Sequence, residues 1–221
     1  MGKKIFVTAT DTGAGKTFIT SHLVTLLLDQ GIHASAIKPI ASGMFPNGIN
    51  EDVDALLKAQ HISDPKLLNL HTFSLPASPN IAATAEGKTI DPKQLLSWCH
   101  DKAKETKICL IEGIGGLMVP LNDQYLVSDW ITDMQPCEVM LIVGARLGCI
   151  NHALLTLQQL KKMNISPTYI IINALNDSEI AEQTKTSLQA FISPQSRIIM
   201  IPYKAKKTHF QTLINNVLAK D

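Results

Sequence analysis

Six short runs of apolar and β-branched residues, 5–10, 34–40, 107–111, 139–143, 169–172 and 197–201, recur along the chain with longer helical patterns between them. Several are apolar at every position, which suits strands of a parallel sheet covered on both faces. Between the first two, Phe18, Ile19, Leu23, Leu26 and Leu27 recur at helical spacing and Gly31 supplies a stop; Ile150, Leu154, Leu157 and Leu160 mark a second buried helix face. The pattern predicts an α/β fold with a doubly wound, mostly parallel sheet and helices on both faces. Residues 41–86 are less regular, broken at Pro46-Asn47-Gly48, Pro65, Pro76 and Pro79, and read as a lid or substrate wall.

The chain has 221 residues, about one and a half average domain lengths, and its unbroken alternation predicts a single domain over 1–221. Twenty basic residues against nineteen acidic ones leave a net charge of +1. Such a balance offers no broad field for collecting nucleic acid or an acidic membrane surface, so neither partner is expected. Only Arg146 and Arg197 are arginines, so any phosphate site must rely on Lys, backbone N–H groups and metal. Cys99, Cys109, Cys137 and Cys149 form no CxxC pair and read as buried, reduced thiols. The apolar runs are far shorter than the roughly 20 residues of a membrane helix, and Asp11 interrupts the N-terminal apolar stretch before a signal core can form; an untargeted cytoplasmic protein is expected. Lys204 to Lys207 reads as a solvated turn.

The strongest local signal is Ala9-Thr10-Asp11-Thr12-Gly13-Ala14-Gly15-Lys16-Thr17, between the first strand and the first long helix. Small residues there let successive N–H groups turn onto a phosphate at the positive end of the helix; Lys16 reaches the terminal phosphate oxygens and the Thr17 hydroxyl takes a Mg²⁺ position. The pattern GxxxxGK[ST] wants Gly first, and Ala9 stands in its place, which a residue of negative φ tolerates. A phosphate-loop (P-loop) NTPase fold follows. Glu112, at the end of an apolar strand and before Gly113-Ile114-Gly115-Gly116, faces the ligand crevice of such a sheet and is a Mg²⁺ candidate. Lys38, before Pro39-Ile40-Ala41-Ser42-Gly43, either adds a second ammonium to that crevice or is a solvated strand-end lysine. Glu51, Asp52 and Asp54 are ambiguous by themselves, because an acidic helix N-terminus is explained by the helix dipole alone.

Four blocks together resemble one family: Thr8 to Thr12 with Gly15-Lys16-Thr17, Lys38-Pro39-Ile40-Ala41-Ser42-Gly43, Glu112-Gly113-Ile114-Gly115-Gly116, and Gly148-Cys149-Ile150-Asn151-His152, with further similarity at Ser128-Asp129-Trp130 and Asn173. In this order they are similar to dethiobiotin synthetases of biotin biosynthesis, over most of the chain. The resemblance implies a homodimer that carboxylates 7,8-diaminononanoate with CO₂ or bicarbonate and closes the ureido ring with MgATP, through a carbamate and a carbamic–phosphoric anhydride. It implies catalytic roles for Lys16, Lys38 and Thr12. It places Asp11, Thr12, Gly13, Ala14, Gly15, Lys16, Thr17, Glu112 and Gly115 around the nucleotide, with Asn173 and Pro202 at the adenine. Thr17, Asp54 and Glu112 would hold Mg²⁺, Asp54 being chosen because Asp54-Ala55-Leu56 matches the family's acidic position. Ser42 and Lys38 would line the diamine site, and Gly148, Cys149, Ile150 and Asn151 would receive the substrate carboxylate of the neighbouring subunit. The chain departs from the family at Ala9, at Gly13, where Glu is common, and at Ile114, where Ala is expected; none of these is a proposed ligand side chain.

Three other readings compete, one of them a non-catalytic nucleotide-binding module that has lost the carboxylation chemistry, for which Ala9 is the only support. A partition or septum-site ATPase carries a lysine early in its loop, in the pattern KGGxGK[ST], where this chain has Asp11. A cobyrinate-type amidoligase normally adds a glutamine-hydrolysing domain, for which 221 residues leave no room.

Overall fold

The computed structural model describes residues 2–44 and 48–219; Pro46 and Asn47, read above as chain breakers, lie outside them. Among the described residues, ten strands occur in the order β1 (Lys3–Ala9), β2 (Ala34–Ile37), β3 (Ile40–Ser42), β4 (His71–Phe73), β5 (Ile108–Glu112), β6 (Pro120–Asn122), β7 (Tyr125–Leu126), β8 (Glu138–Gly144), β9 (Tyr169–Asn173) and β10 (Arg197–Ile201). The α-helices are α1 (Lys16–Asp29), α2 (Glu51–Gln60), α3 (Pro79–Ala85), α4 (Pro92–Lys104), α5 (Val127–Asp133), α6 (Cys149–Lys162), α7 (Ser178–Leu188) and α8 (Gln211–Leu218).

The six apolar runs become the six strands of one sheet, ordered β10-β9-β8-β1-β5-β2, and every pairing in it is parallel. Strand alternation divides the core between the two faces. Met140, Ile142 and Ile171 join the large cluster that contains Ile19 and Leu23 of α1 and Leu213 of α8, whereas Leu141, Val143, Ile170 and Ile172 pack with Ala153 of α6 and Ala181 of α7. Each fully buried Leu or Ile contributes about 1.5–3 kcal/mol. The winding reverses beside β1, and an open α/β sheet leaves its ligand crevice at the C-terminal ends of the strands around such a point.

Local chemistry sets the helix ends. The α1 terminus closes with Gly31 at φ 73° while the Ile32 N–H bonds back to the Leu27 carbonyl, a left-handed stop suited to glycine. Asn50 caps α2, its side chain accepting from the Asp52 and Val53 N–H groups. In Ser128-Asp129-Trp130 the Asp129 carboxylate accepts from the Leu126 N–H at the start of α5, and the fully buried Trp130 ring meets Phe6 edge-on at 4.8 Å.

Three expectations change. The second strand does not run from 34 to 40: Pro39 has no N–H to donate, and the chain leaves the sheet after Ile37. The Lys38 N–H turns to Leu68, the Pro39 carbonyl accepts from Leu70 and His71, and Ile40–Ser42 pairs with His71–Phe73 in a separate parallel ribbon. Phe18, placed on the buried side of α1, is 38 % exposed. The deep face of α6 is Cys149, Ala153, Thr156 and Leu160, with Ile150, Leu154 and Leu157 only partly buried beside it, because small residues sit where the helix approaches the sheet. Cys99, Cys109 and Cys149 are buried free thiols and Cys137 is half-buried. Among the described residues, no helix is long and apolar enough to cross a membrane.

Candidate functional site

β1 ends at Ala9 in ordinary strand pairing, opposite Ile142, so the residue in the first glycine position of the loop is one for which alanine is suitable. The loop then turns with Gly13 at φ 73° and Gly15 at φ 93°. Gly15 is required twice over, since a Cβ there would also lie 2.2 Å from Asn173 Nδ2. No side chain caps α1 at Gly15, which leaves its first N–H groups directed at whatever occupies the cleft. Asp11 Oδ1 accepts from the Thr12 N–H at 2.7 Å, and its other oxygen pairs with Arg146 from the turn after β8.

The loop forms one side of a cleft of about 610 Å³. Thr12, Gly13, Gly15, Lys16, Thr17, Lys38, Ser42 and Gly115, all drawn from the sequence, line it together with Asp52 and the Pro76 to Pro79 segment. The irregular 41–86 region therefore does supply a wall. Ala14 is buried behind the loop, and the Asn173 amide donates to its carbonyl at 3.0 Å. Asn173 thus braces the loop from the end of β9, with Pro202 just after the neighbouring strand β10.

Charge concentrates at the floor. Lys16 Nζ donates to the Gly115 carbonyl at 2.8 Å, and Gly115 adopts φ 58° to present that carbonyl. Burial first, and then the Lys38 charge, lower the Lys16 pKa to about 8. Lys38 is 1 % exposed; its Nζ lies 2.8 Å from Glu112 Oε1 and 3.2 Å from Asp52 Oδ2, and donates to the Gly113 carbonyl at 2.8 Å. Burial alone would lower its pKa, but the Glu112 and Asp52 carboxylates overcome that and raise it. Burial works against the Asp52 carboxylate as well; the Lys38 charge and the Thr17 hydrogen bond outweigh it and lower the Asp52 pKa.

Thr17 Oγ1 lies 2.6 Å from Asp52 Oδ1 and 2.7 Å from Glu112 Oε1. A hydroxyl has one proton and can donate to only one of them. Glu112 is 0 % exposed, and among the described residues its buried Oε2 has no hydrogen-bond partner. Two carboxylates converging on one hydroxyl, with a carboxylate oxygen left over, make an oxygen donor set of the kind Mg²⁺ takes alongside nucleotide phosphates.

Asp52, rather than the expected Asp54, is the acidic residue that reaches this cluster. Successive helical residues are about 100° apart, so Asp52 and Asp54 stand on nearly opposite sides of α2. Asp52 is one turn before buried Leu56, whereas Asp54 is one turn before Lys58 and pairs with it at 2.6 Å on the outer side. That phase was present in the sequence. Sequence reasoning alone misses Asn50 and Arg146: the first carries an N-cap signal, Asn before an acidic helix start, and the second has no signal beyond being a rare arginine.

The Gly148 to Asn151 turn is not part of this chain's cleft. Gly148 opens α6 at φ 91° without a side-chain cap, Leu147 before it is fully exposed, and the Cys149 thiol points inward to Thr184 Oγ1 at 3.2 Å. Asp11 is not in the cleft's lining; it borders a neighbouring depression with Thr10, Gly116 and Leu155.

A parallel sheet with a glycine-rich turn between its central strand and a helix, and a Lys-Thr pair opening that helix, defines a phosphate-loop nucleotide-binding protein. The AAA domain family model matches residues 3–209. The chain is 38 % identical over 192 residues to the ATP-dependent dethiobiotin synthetase BioD of Legionella pneumophila subsp. pneumophila, covering 85 % of this chain and 88 % of that protein. It is 36 % identical over 170 residues to ATP-dependent dethiobiotin synthetase BioD 1 of Escherichia coli O157:H7, covering 75 % of each. Among solved structures, the signal recognition particle receptor FtsY from Elizabethkingia anophelis superposes with a TM-score of 0.56 at 13 % identity, over 96 % of this chain and 62 % of that one, a likeness of fold alone. The chain belongs to the dethiobiotin synthetase family.

Proposed function

We propose that this chain is a cytoplasmic ATP-dependent dethiobiotin synthetase, one catalytic domain over 1–221 that works as a homodimer on 7,8-diaminononanoate and CO₂. The observation that carries the reading is Lys38: binding a triphosphate needs only the loop and Lys16, yet a second ammonium is buried at the floor of the same cleft. Phosphorylating a carboxylate-like oxygen brings two anions together, and a second fixed cation offsets their repulsion.

One substrate amine attacks CO₂ and loses a proton, giving a carbamate that Lys38, with Ser42 beside it, holds in the cleft. A carbamate oxygen then attacks the γ-phosphorus of ATP and ADP leaves. Lys16 and the loop N–H groups follow the charge as it moves onto the leaving oxygen, and Thr12 adds hydrogen bonds between carbamate and phosphate. The second amine attacks the carbamoyl carbon of the mixed anhydride and phosphate departs with its oxygen, closing the ureido ring with loss of a proton. Thr17, Asp52 and Glu112 would hold Mg²⁺, which would supply neutralisation of the nucleotide's phosphate charge; Glu112 Oε2, without a hydrogen-bond partner among the described residues, supports this assignment. Asn173 and Pro202, at the ends of β9 and β10, form the adenine side. The uncapped start of α6, turned away from its own cleft, serves a substrate carboxylate bound by the second subunit.

Incubation with the diamine, labelled bicarbonate, Mg²⁺ and ATP is expected to give labelled dethiobiotin and ADP in equal amounts. Absence of diamine-dependent ADP release would overturn the reading.

A further inference from the structure

The Asn50 side chain lies outside the cleft lining and ties the start of α2 to the end of β3. It is 8 % exposed, and its single amide is used in both directions. Oδ1 accepts from the Asp52 N–H at 3.0 Å and the Val53 N–H at 3.3 Å, fixing the first turn of α2. Nδ2 donates to the Ser42 carbonyl at 3.0 Å and the Gly43 carbonyl at 2.6 Å, fixing the end of β3. Asp52 is the carboxylate that meets Thr17 and Lys38, and Ser42 lines the same cleft. Gly43 follows it at φ 81° and packs closely on Pro76 of the lining, to which a Cβ on Gly43 would come within 3.1 Å.

We propose that Asn50 is a positioning residue for the reaction, a strap that sets the spacing between the metal-binding carboxylate of Asp52 and the diamine wall at Ser42 and Gly43. The inference rests on the function proposed above. An ordinary N-cap needs only an oxygen acceptor, and Ser or Asp serves as well as Asn. What Asn adds is the NH₂ group, and here both of its hydrogens go to the substrate wall. The two duties sit on different atoms of one amide and are therefore separable by substitution. The strap acts on positions rather than charges: it neither touches the reacting atoms nor changes the net charge of the cleft.

Three variants separate the duties. Asn50→Ser retains an acceptor for the helix start and drops both donors to β3. Asn50→Asp retains the cap and turns an oxygen toward the Ser42 and Gly43 carbonyls. Asn50→Ala removes both functions. For each, the thermal midpoint, the KM for 7,8-diaminononanoate, kcat, and the Mn²⁺ dissociation constant with ADP bound, read by electron paramagnetic resonance, are measured beside wild type.

Asn50→Ser is expected to raise the KM for the diamine by about tenfold while leaving Mn²⁺ affinity close to wild type, Asn50→Asp to raise KM further, and Asn50→Ala to weaken Mn²⁺ binding as well by about tenfold, the range for residues that orient metal ligands. Variants that lower the thermal midpoint but leave KM and Mn²⁺ affinity unchanged would overturn the proposal, as would Asn50→Ser matching Asn50→Ala in every readout. If wild type does not turn the diamine over, the proposed function fails on its own, and amide hydrogen exchange over residues 40–43 then decides: faster exchange in Asn50→Ser than in wild type sustains the strap, and unchanged exchange ends it.

Discussion

Asp52 and Asp54 are two residues apart and chemically identical, so exchanging each for Asn isolates the effect of geometry. Asp54 pairs with Lys58 on the outside of α2, where the lysine side chain is 76 % exposed. An exposed pair one helical turn apart contributes about 0.3–0.5 kcal/mol, so Asp54→Asn should leave turnover within about twofold of wild type. Asp52 meets Thr17 at 2.6 Å and the Lys38 ammonium at 3.2 Å. A unit charge about 4 Å from another is worth about 4 kcal/mol at an effective dielectric of 20. The Asp52 side chain is 43 % exposed, and screening on that scale leaves about 2–3 kcal/mol, a loss of about 30- to 160-fold at subsaturating Mg²⁺. The assay is a Mg²⁺ titration of diamine-dependent ADP release at fixed ATP, with the thermal midpoint recorded for both variants. Asp52→Asn is expected to move half-saturation to higher Mg²⁺ and to lower turnover. A larger loss in Asp54→Asn than in Asp52→Asn, or an unchanged Mg²⁺ requirement in Asp52→Asn, would refute the placement of Asp52 and restore the assignment suggested by the linear match Asp54-Ala55-Leu56.

Other consequences are simpler to test. Lys16→Ala should reduce turnover by at least about a hundredfold, the scale of losing a donor to developing charge, with an unchanged thermal midpoint; near-normal turnover would contradict its role. Gly15→Ala forces a side chain into φ 93° and against the Asn173 amide, so the Kd of a fluorescent ATP analogue should rise about tenfold or more for a strain of about 1–3 kcal/mol, whereas Ala9→Gly, within regular strand, should leave it unchanged; equal effects would refute this account of the loop. His71 stacks on Phe73, and burial first, then the Lys88 charge, lower its pKa from 6.5. The unfolded chain therefore takes up this proton at higher pH than the folded one, and stability falls as pH drops below about 6.5. The urea midpoint of wild type should fall further between pH 7 and pH 5 than that of His71→Asn, and parallel curves would exclude the effect.

What the sequence made legible follows from which properties are linear. The central strands are buried on both faces and apolar nearly throughout, and even the edge strand β10, which opens on Arg197, is otherwise apolar, so all six strands of the main sheet are visible as runs. The loop was visible because Gly13, Gly15 and Lys16 act through backbone conformation and one charge at fixed spacing. The choice between Asp52 and Asp54 is angular. A motif match aligns letters, while the face of α2 is set by where Asn50 starts the helix. Arg146 was harder still: its partner Asp11 is 135 residues away, and only the placement of β8 beside β1 brings the two together.

The early end of β2 shows how such a departure can create the site. Had the run continued to residue 40 as its apolar character suggests, Ile40–Ser42 would have lengthened the sheet edge. Pro39 prevents this by withholding a donor. Asn69 consolidates the exit, its amide donating to the Lys38 carbonyl at 2.7 Å and the His71 carbonyl at 3.2 Å. The chain then pairs with His71–Phe73, which brings Ser42 to the cleft wall, while Lys38 sends its ammonium inward to Glu112 and the Gly113 carbonyl. An ammonium that is 1 % exposed is costly to bury unless carboxylates and carbonyls surround it, and these partners come from the end of β5, directly beside the phosphate loop. The local pattern fails at Lys38-Pro39 because the residues there serve the cleft rather than the sheet, the kind of position at which a consistent sequence is expected to break its own rules.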